Sequence, residues 1–351
     1  MPRIRENTVR NGNFGEADAR KTRSEVPMKN PVKLLHSLYL AVRYTLPIWI
    51  DQHTHPPFFR SIQYRWLSRT HRARVKLIQR QYEIAFGRPL DLEAPKTLNG
   101  KIQWLKLFRP DPLITLCADK YRVREYVKEK IGEQYLPKLL GVWKRPEEID
   151  FTQLPEQFVL KVNWGSGQNL ICRDKKTISE TGYRKTLRRW LRPFANQYYL
   201  ALEWGYRDIP PRIICEEYLA FLEQNPKTFK IFCFNGEPRV VQLVMDDKTP
   251  QETINYYDTE WNLLPFRQNF PNNPAKIPCP VFWEQMLELA RKLSEPFPFV
   301  RTDFFESPDG VLFSELTFYS DAGLARFEPE EWDEKLGEML ELPEPMIEKT
   351  K

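Results

Sequence analysis

The segment spanning residues 299–318 constrains this chain more than any other. Two apolar runs, 300–305 and 311–318, flank Ser307-Pro308-Asp309-Gly310, a turn signal in which proline presets φ and glycine accepts a positive one. Antiparallel pairing about that turn predicts Asp303 nearly opposite Glu315 and Arg301 nearly opposite Thr317. Side chains alternate along a strand, so these four share one face while Val300, Thr302, Phe304, Ser314, Leu316 and Phe318 take the other. Two carboxylates in cross-strand register have Cβ atoms ~5 Å apart and repel unless a cation or proton lies between them. A Mg²⁺ ion bound jointly with nucleotide phosphates resolves that repulsion, and Arg301 alongside suits a γ-phosphate or acyl-phosphate oxygen. The same residues also fit a solvent-facing sheet on which Arg301 neutralises both acids. If the carboxylates repel, changing either to its amide leaves the fold intact or firmer.

A second strand pattern, 157–162, runs into Asn163-Trp164-Gly165-Ser166-Gly167-Gln168-Asn169 and then Leu170-Ile171-Cys172. A loop of small residues between strands lets backbone N–H groups close on phosphates, because glycine tolerates positive φ and has no Cβ to block approach. Lys161, at the end of the incoming strand, adds a point charge. A plain hairpin turn explains Gly-Ser-Gly equally simply. Further strands are predicted over 212–218, 229–234 and 240–244, the last two joined by Asn235-Gly236. Glu216-Glu217-Tyr218-Leu219 closes the first of these, where a strand end could read the amine of adenine. Helices are predicted over 98–108, 118–131 (closed by Gly132), 183–194 and 281–293. Together these elements define an α/β chain of the α+β type.

The organisation follows from patterning. Residues 1–30 are polar and aperiodic, a tail; 31–74 form a variable helical region; 75–340 form the main domain; 341–351 are a Glu/Pro-rich tail. The stretch 32–50 is long enough to be weighed as a membrane span but carries His36, Arg43 and Pro47, so an amphipathic helix fits better. Over 60–80, arginines interleave with Tyr64, Trp66, Leu67 and Val75, a basic amphipathic helix whose charges face either solvent or a polyanionic surface. With 53 basic and 47 acidic residues the net charge of +6 suits an anionic ligand without demanding nucleic acid. Five cysteines without a C-x-x-C pair point to reduced thiols, and His53-x-His55 lacks the partners of a zinc site. No signal peptide pattern opens the chain. A cytoplasmic protein, peripheral at the inner face of the membrane, is the expectation.

Taken in order, KTLNGKIQWLKLF, ADKYRVREYVKEKIG, FVLKVNWGSGQNLI, PRIICEEYL, KTFKIFCFNGEP, FPFVRTDFFESPDG, FSELTF and FEPEEWDEKLGEML resemble the TupA-like ATP-grasp family of polysaccharide and teichuronopeptide biosynthesis. The resemblance covers about residues 75–340 and implies an ATP-grasp fold, in which two α+β subdomains clamp ATP. It implies Lys120 and Lys161 as paired phosphate lysines, Gly165, Ser166 and Gly167 as the flexible loop, and Glu216, Tyr218 and Leu219 as the adenine hinge. Glu223 falls at a ribose-binding position and Lys230 at a further phosphate contact. Arg301-x-Asp303 followed by Glu315-x-Thr317 is similar to the metal site of the D-alanine ligase branch, which has asparagine where Thr317 stands. Trp164, where the family often has histidine, and Tyr319-Ser320-Asp321-Ala322-Gly323, in place of a Pro/Gly-rich loop, depart from the pattern on the acceptor side.

The implied reaction is attack of a carboxylate on the γ-phosphate of ATP with Mg²⁺, then displacement of the acyl phosphate by an amine. The implied setting is amino-acid or peptide decoration of a capsule, lipopolysaccharide or cell-wall glycan, with a lipid-linked glycan as partner. Two rivals make different predictions. A glycosyltransferase-type enzyme of polysaccharide biosynthesis would turn over a nucleotide sugar without ATP, and a non-catalytic ATP-binding scaffold would bind ligand without releasing ADP.

Overall fold

In the computed structural model, residues 65–66, 68–224, 227–247 and 249–347 are described, and all of them fall in one compact unit. The 32–50 stretch and the His53-x-His55 pair lie outside them. Among the described residues, α1 (His71–Phe86), α2 (Leu98–Phe108), α3 (Pro112–Ala118) and α4 (Val123–Lys130) precede the sheets. Threonine hydroxyls start α1 and α2, Thr70 accepting from Ala73 N–H and Thr97 from Gly100 N–H, and Gly87 at φ 72° ends α1. Every residue of α2 except Lys101 is buried, so its polar side chains must find partners inside the protein. The helix expected over 118–131 begins only at Val123, after a turn that separates α4 from the end of α3 at Ala118. Asp119 Oδ1 accepts from the backbone N–H of Tyr121 and Arg122, which turns the chain between them and leaves Lys120 on the turn.

A four-stranded antiparallel sheet follows, built from β1 (Leu139–Trp143), β2 (Phe158–Val162), β3 (Asn169–Cys172) and β4 (Ile213–Glu217) in the order β1-β4-β2-β3. Between β3 and β4 lie the basic helix α5 (Glu180–Trp190) and the short α6 (Gln197–Ala201). Phe158, Leu160 and Val162 are buried on one face of β2, which turns Val159 and Lys161 to the other.

The larger sheet has five antiparallel strands in the order β7-β6-β5-β8-β9: β5 (Lys227–Phe234), β6 (Glu237–Met245), β7 (Thr253–Asp258), β8 (Phe299–Ser307) and β9 (Gly310–Thr317). Asn235 and Gly236, both at positive φ, make the β5–β6 turn as expected. Helix α7 (Trp283–Ser294) packs against β5, β6 and β8, and α8 (Glu331–Glu338) packs against α2. In β8–β9 the register is Arg301 to Thr317 and Asp303 to Glu315, as the turn signal predicts. Beyond it the ladder shifts, and Phe304 pairs with Phe313. Ser314 is therefore the extra residue of a β-bulge, half-buried, and Phe313 takes the core position assigned to it from strict alternation. Four of the five cysteines are buried and all are free thiols. Among the described residues no helix is long and apolar enough to cross a membrane. The tail is docked at its start: Asn235 and Glu341 exchange two hydrogen bonds of 2.9 Å, and Met346 N–H donates to Phe108 O.

Candidate functional site

Cross-strand pairing draws one polar row over all five strands of the larger sheet: Tyr256, Gln242, Lys230, Asp303 and Glu315. Lys230, Asp303 and Glu315 are readable from sequence; Tyr256 is not, because β7 lacks an apolar alternation to announce it, and Gln242 sits in a predicted strand with no motif around it. Tyr256 Oη accepts from Gln242 and donates to Gln268.

The centre of the row is an ion-pair network. Arg301 donates to both oxygens of Asp303 at 2.7 Å, a two-pronged pairing that fits guanidinium to carboxylate, and also to Thr317 Oγ1 at 3.1 Å and Ser320 Oγ at 3.3 Å. Asp303 is 1% exposed and Arg301 7%. Glu315 lies 3.7 Å from Arg301 and accepts from Lys120 Nζ at 2.6 Å. The two carboxylates therefore do not face each other bare. Burial would raise the Glu315 carboxyl, but Lys120 and Arg301 outweigh it and hold it well below the usual carboxylate range. Burial likewise opposes the charge on Lys120 and Arg301; Glu315 keeps Lys120 protonated, and Asp303 with Glu315 does the same for Arg301. For Asp303 burial wins over the pull of Arg301 and Lys230, and its carboxyl is raised.

Lys120 also ties this network to the smaller sheet. Its backbone N–H donates to Asn163 O, directly after β2. Asn163 is fully buried, with its amide on Asp119 Oδ1 and Pro210 O, and its oxygen accepting from Arg212 N–H. Asn163 and Asp119 thus fix where Lys120 stands; both sit inside quoted motifs, but nothing local in sequence announces their pairing over 44 positions. On the smaller sheet Lys161 Nζ lies 2.5 Å from Glu216 Oε2, and Arg124 pairs with the other oxygen at 3.2 Å. The Glu216 carboxylate, offered above as a reader of adenine, is here the counter-charge of two cations.

The remaining expected residues fall nearby or apart. Gly165 is buried; Ser166 and Gly167 are exposed, and Gly167 has φ 68° with open space where a Cβ would be, so glycine is needed for conformation and not for room. Trp164 is buried and donates its indole N–H to Trp190 O, so it packs the loop onto the end of α5. Tyr218 and Arg173 both donate to Glu223, on the 3₁₀ turn after Leu219. Beside them an open groove of about 760 Å³ is lined by Lys138, Leu140, Gln157, Arg173, Lys176 and Tyr218. It holds neither the lysines nor the carboxylates of the ion-pair network.

Lys161 on the smaller sheet and Lys120 on the turn before α4 thus stand with carboxylate partners, and Lys120 reaches the carboxylates and guanidinium of the larger sheet. The chain belongs to the TupA-like ATPgrasp family, whose sequence profile matches residues 100–341. The fold is accordingly the ATP-grasp fold. Solved structures similar to it include a D-alanine–D-alanine ligase from Bacillus anthracis complexed with ATP (11% identity, TM-score 0.36, 58% of this chain and 55% of that one). An L-amino acid ligase from Bacillus licheniformis (13%, 0.37, 74% and 56%) is also similar. So is the ATP-grasp ligase PsnB with minimal precursor, Mg and ADP (10%, 0.32, 63% and 58%). The chain thus spans 55–58% of the length of these structures. No curated protein matches it.

Proposed function

We propose that the chain is an ATP-dependent carboxylate–amine ligase, and the observation that carries this reading is the cation–carboxylate network itself. Lys161 and Lys120 suit the phosphates of ATP, each now paired with a carboxylate that a phosphate oxygen can replace. Lys230, cross-strand to Asp303, is a third cation on the same face. Arg301, held in a fixed fork, is the group to take up charge on the transferred phosphoryl. The donor set also fits Mg²⁺. Asp303 and Glu315 are hard oxygen donors in cross-strand register, with Thr317 beside them. Among the described residues no group of three or more His, Cys, Asp or Glu could hold a metal alone, so phosphate oxygens and water would complete the shell. Bound there, Mg²⁺ would supply neutralising charge on the phosphates.

A carboxylate oxygen attacks the γ-phosphorus and ADP leaves; an amine nitrogen then attacks the acyl carbon, phosphate leaves, and the amine proton passes to solvent. Positioning and charge neutralisation carry such a reaction without a side-chain nucleophile. Tyr218, Leu219 and Glu223 would hold the nucleoside, and Gly165, Ser166 and Gly167 the phosphates. Family membership supports a cell-surface glycan, such as a capsule, as the molecule decorated. We infer contact with an anionic membrane, where a lipid-linked glycan would be met, from the basic residues on α1 and just before it. Arg65, Arg69, Arg72 and Lys76 are exposed there, and Arg69 lies over the exposed Trp66 ring. Phosphate release from Mg·ATP in the presence of panels of uronic acids and amino acids tests the reading. Turnover that needs both a carboxylate and an amine supports it, and consumption of a nucleotide sugar with ATP ignored refutes it.

A further inference from the structure

Helix α2 carries three buried polar side chains, Asn99, Gln103 and Lys106, spaced by four and three residues and so aligned on one face. All three donate to one short stretch of backbone, 322–325, and Lys106 to Ala201 O as well. Asn99 donates to Ala325 O at 2.9 Å; Gln103 donates to Ala322 O at 2.9 Å and Gly323 O at 2.6 Å; Lys106 donates to Ala322 O at 2.6 Å and Ala201 O at 3.1 Å. Gln103 Oε1, also buried, has no partner among the described residues, so the side chain serves here as a donor alone. The stretch so held is unusual. Asp321, Ala322 and Gly323 stand in succession at φ 47°, 56° and 64°, and two of the three are not glycine. Left-handed backbone at residues with a Cβ is disfavoured and persists only where the surroundings over-determine it. At Gly323 a Cβ would lie 2.7 Å from Gln103 Nε2 and 2.8 Å from Ile102 Cγ2, so the turn is pressed against the helix.

The turn begins with Ser320, whose Oγ accepts from Arg301 Nη1 and donates to Asp321 Oδ2. We propose that Gln103 and Lys106 are positioning residues: from the inside of α2 they hold the 320–323 turn in its left-handed form, and through Ser320 that turn sets the Arg301 guanidinium against Asp303 and Glu315. The part played by Arg301 toward phosphate rests on the ligase reading; the holding of the turn does not. Lys106 further joins the turn to the end of α6, so two segments beside the network share one buried ammonium. That ammonium is kept from ordinary basicity by burial, which lowers it to about 8 despite the nearby Glu203.

Amide exchange in the full chain, with Mg·ATP as the only added ligand, tests this. Ala322 N–H donates to Tyr319 O and Leu324 N–H to Asp321 O within the turn, so these two amides report its closure. In Gln103→Met, which keeps the bulk of the side chain and removes its donors, they are expected to exchange at least ~10-fold faster while amides of β8 and β9 are unchanged. Adding Ala322→Gly removes the Cβ that opposes the positive φ and is expected to recover at least ~3-fold of that loss. Lys106→Met gives a second, independent variant with the same expectation should Gln103→Met fold poorly. The route through Ser320 is read from Mg·ATP affinity: Gln103→Met and Ser320→Ala should each weaken binding at least ~3-fold, and the double variant no more than either alone. A purely structural staple predicts additive losses. Unchanged exchange at Ala322 and Leu324 in both variants, or additive losses of affinity, overturns the proposal. A wild-type chain that does not bind Mg·ATP removes the ligase reading and the Arg301 part of this one, and the exchange result still decides whether α2 holds the turn.

Discussion

Replacing Asp303 by asparagine should destabilise the protein, the reverse of what two bare carboxylates in register would give. Both Asp303 oxygens accept from Arg301 at 2.7 Å, and the carboxylate is 1% exposed. In Asp303→Asn one of those oxygens becomes an NH₂ group facing a guanidinium N–H, while Arg301 keeps its charge. Removing one partner of a buried pair costs about 3–5 kcal/mol. Burial already opposes the Asp303 charge and raises its carboxyl, Glu315 remains 3.7 Å from Arg301, and Thr317 and Ser320 still accept from it, so the loss falls at or below the lower end of that range. We expect about 2–3 kcal/mol, which at roughly 2 °C per kcal/mol for a chain of this size is a fall in Tm of about 4–6 °C. Calorimetric melting of the wild type, Asp303→Asn and the double variant Arg301→Met/Asp303→Leu measures it. The double variant removes both charges and should recover most of the loss, since apolar groups of similar volume replace a buried pair at little cost. A single variant that melts at or above the wild-type temperature, or a double variant no better than the single, would show that the pair does not hold this hairpin.

Asp303→Asn and Glu315→Gln should each slow ligation by at least ~10²-fold, the scale of losing one preorganised charged group, and a folded, fully active Glu315→Gln protein would end the proposed role of the hairpin. The pH dependence of stability should also differ between wild type and Glu315→Gln. Because the folded-state carboxyl is depressed, its contribution is complete above its unfolded pKa of about 4.3 and is lost only as pH falls from there through the folded value, so the gap between the two melting curves should be constant above pH ~5 and narrow steadily below pH ~4. A gap that widens on acidification contradicts the Lys120–Glu315 pairing. Finally, the exposed basic residues on α1 and just before it predict flotation with anionic liposomes at low salt that is lost at high salt, each basic residue near the surface contributing ~1 kcal/mol; no flotation at low salt removes membrane contact from the reading.

The hairpin was legible because its information is local: an alternating pattern and a Pro-Asp-Gly turn suffice to set Asp303 against Glu315. The bulge at Ser314 was not, since alternation presumes a regular ladder. β1 and β7 carry no strand signal in sequence for related reasons. All five residues of β1 are half-buried, and β7 places Asn255 at a fully buried position where an apolar residue would have marked the strand. The residue types of the site were readable, but not who neutralises whom. Lys120 meets Glu315 across 195 positions and Lys161 meets Glu216 across 55, and no local pattern encodes such pairings. Two carboxylates in register suggested a metal between them; the fold supplies a cation to each.

That mutual neutralisation bears on how loading should respond to ionic strength. A bare basic cleft attracts phosphate by shedding loosely held counterions, and its affinity drops steeply as salt is added. Here Lys120 and Lys161 hold carboxylates of the same chain as their counterions. Accommodating Mg·ATP would therefore be an exchange of partners: phosphate oxygens take the ammonium groups, Glu315 is freed toward the metal, and Glu216 keeps Arg124 as its counter-charge. Few mobile ions are released in such an exchange, so affinity should vary weakly with salt and strongly with the ratio of metal to nucleotide.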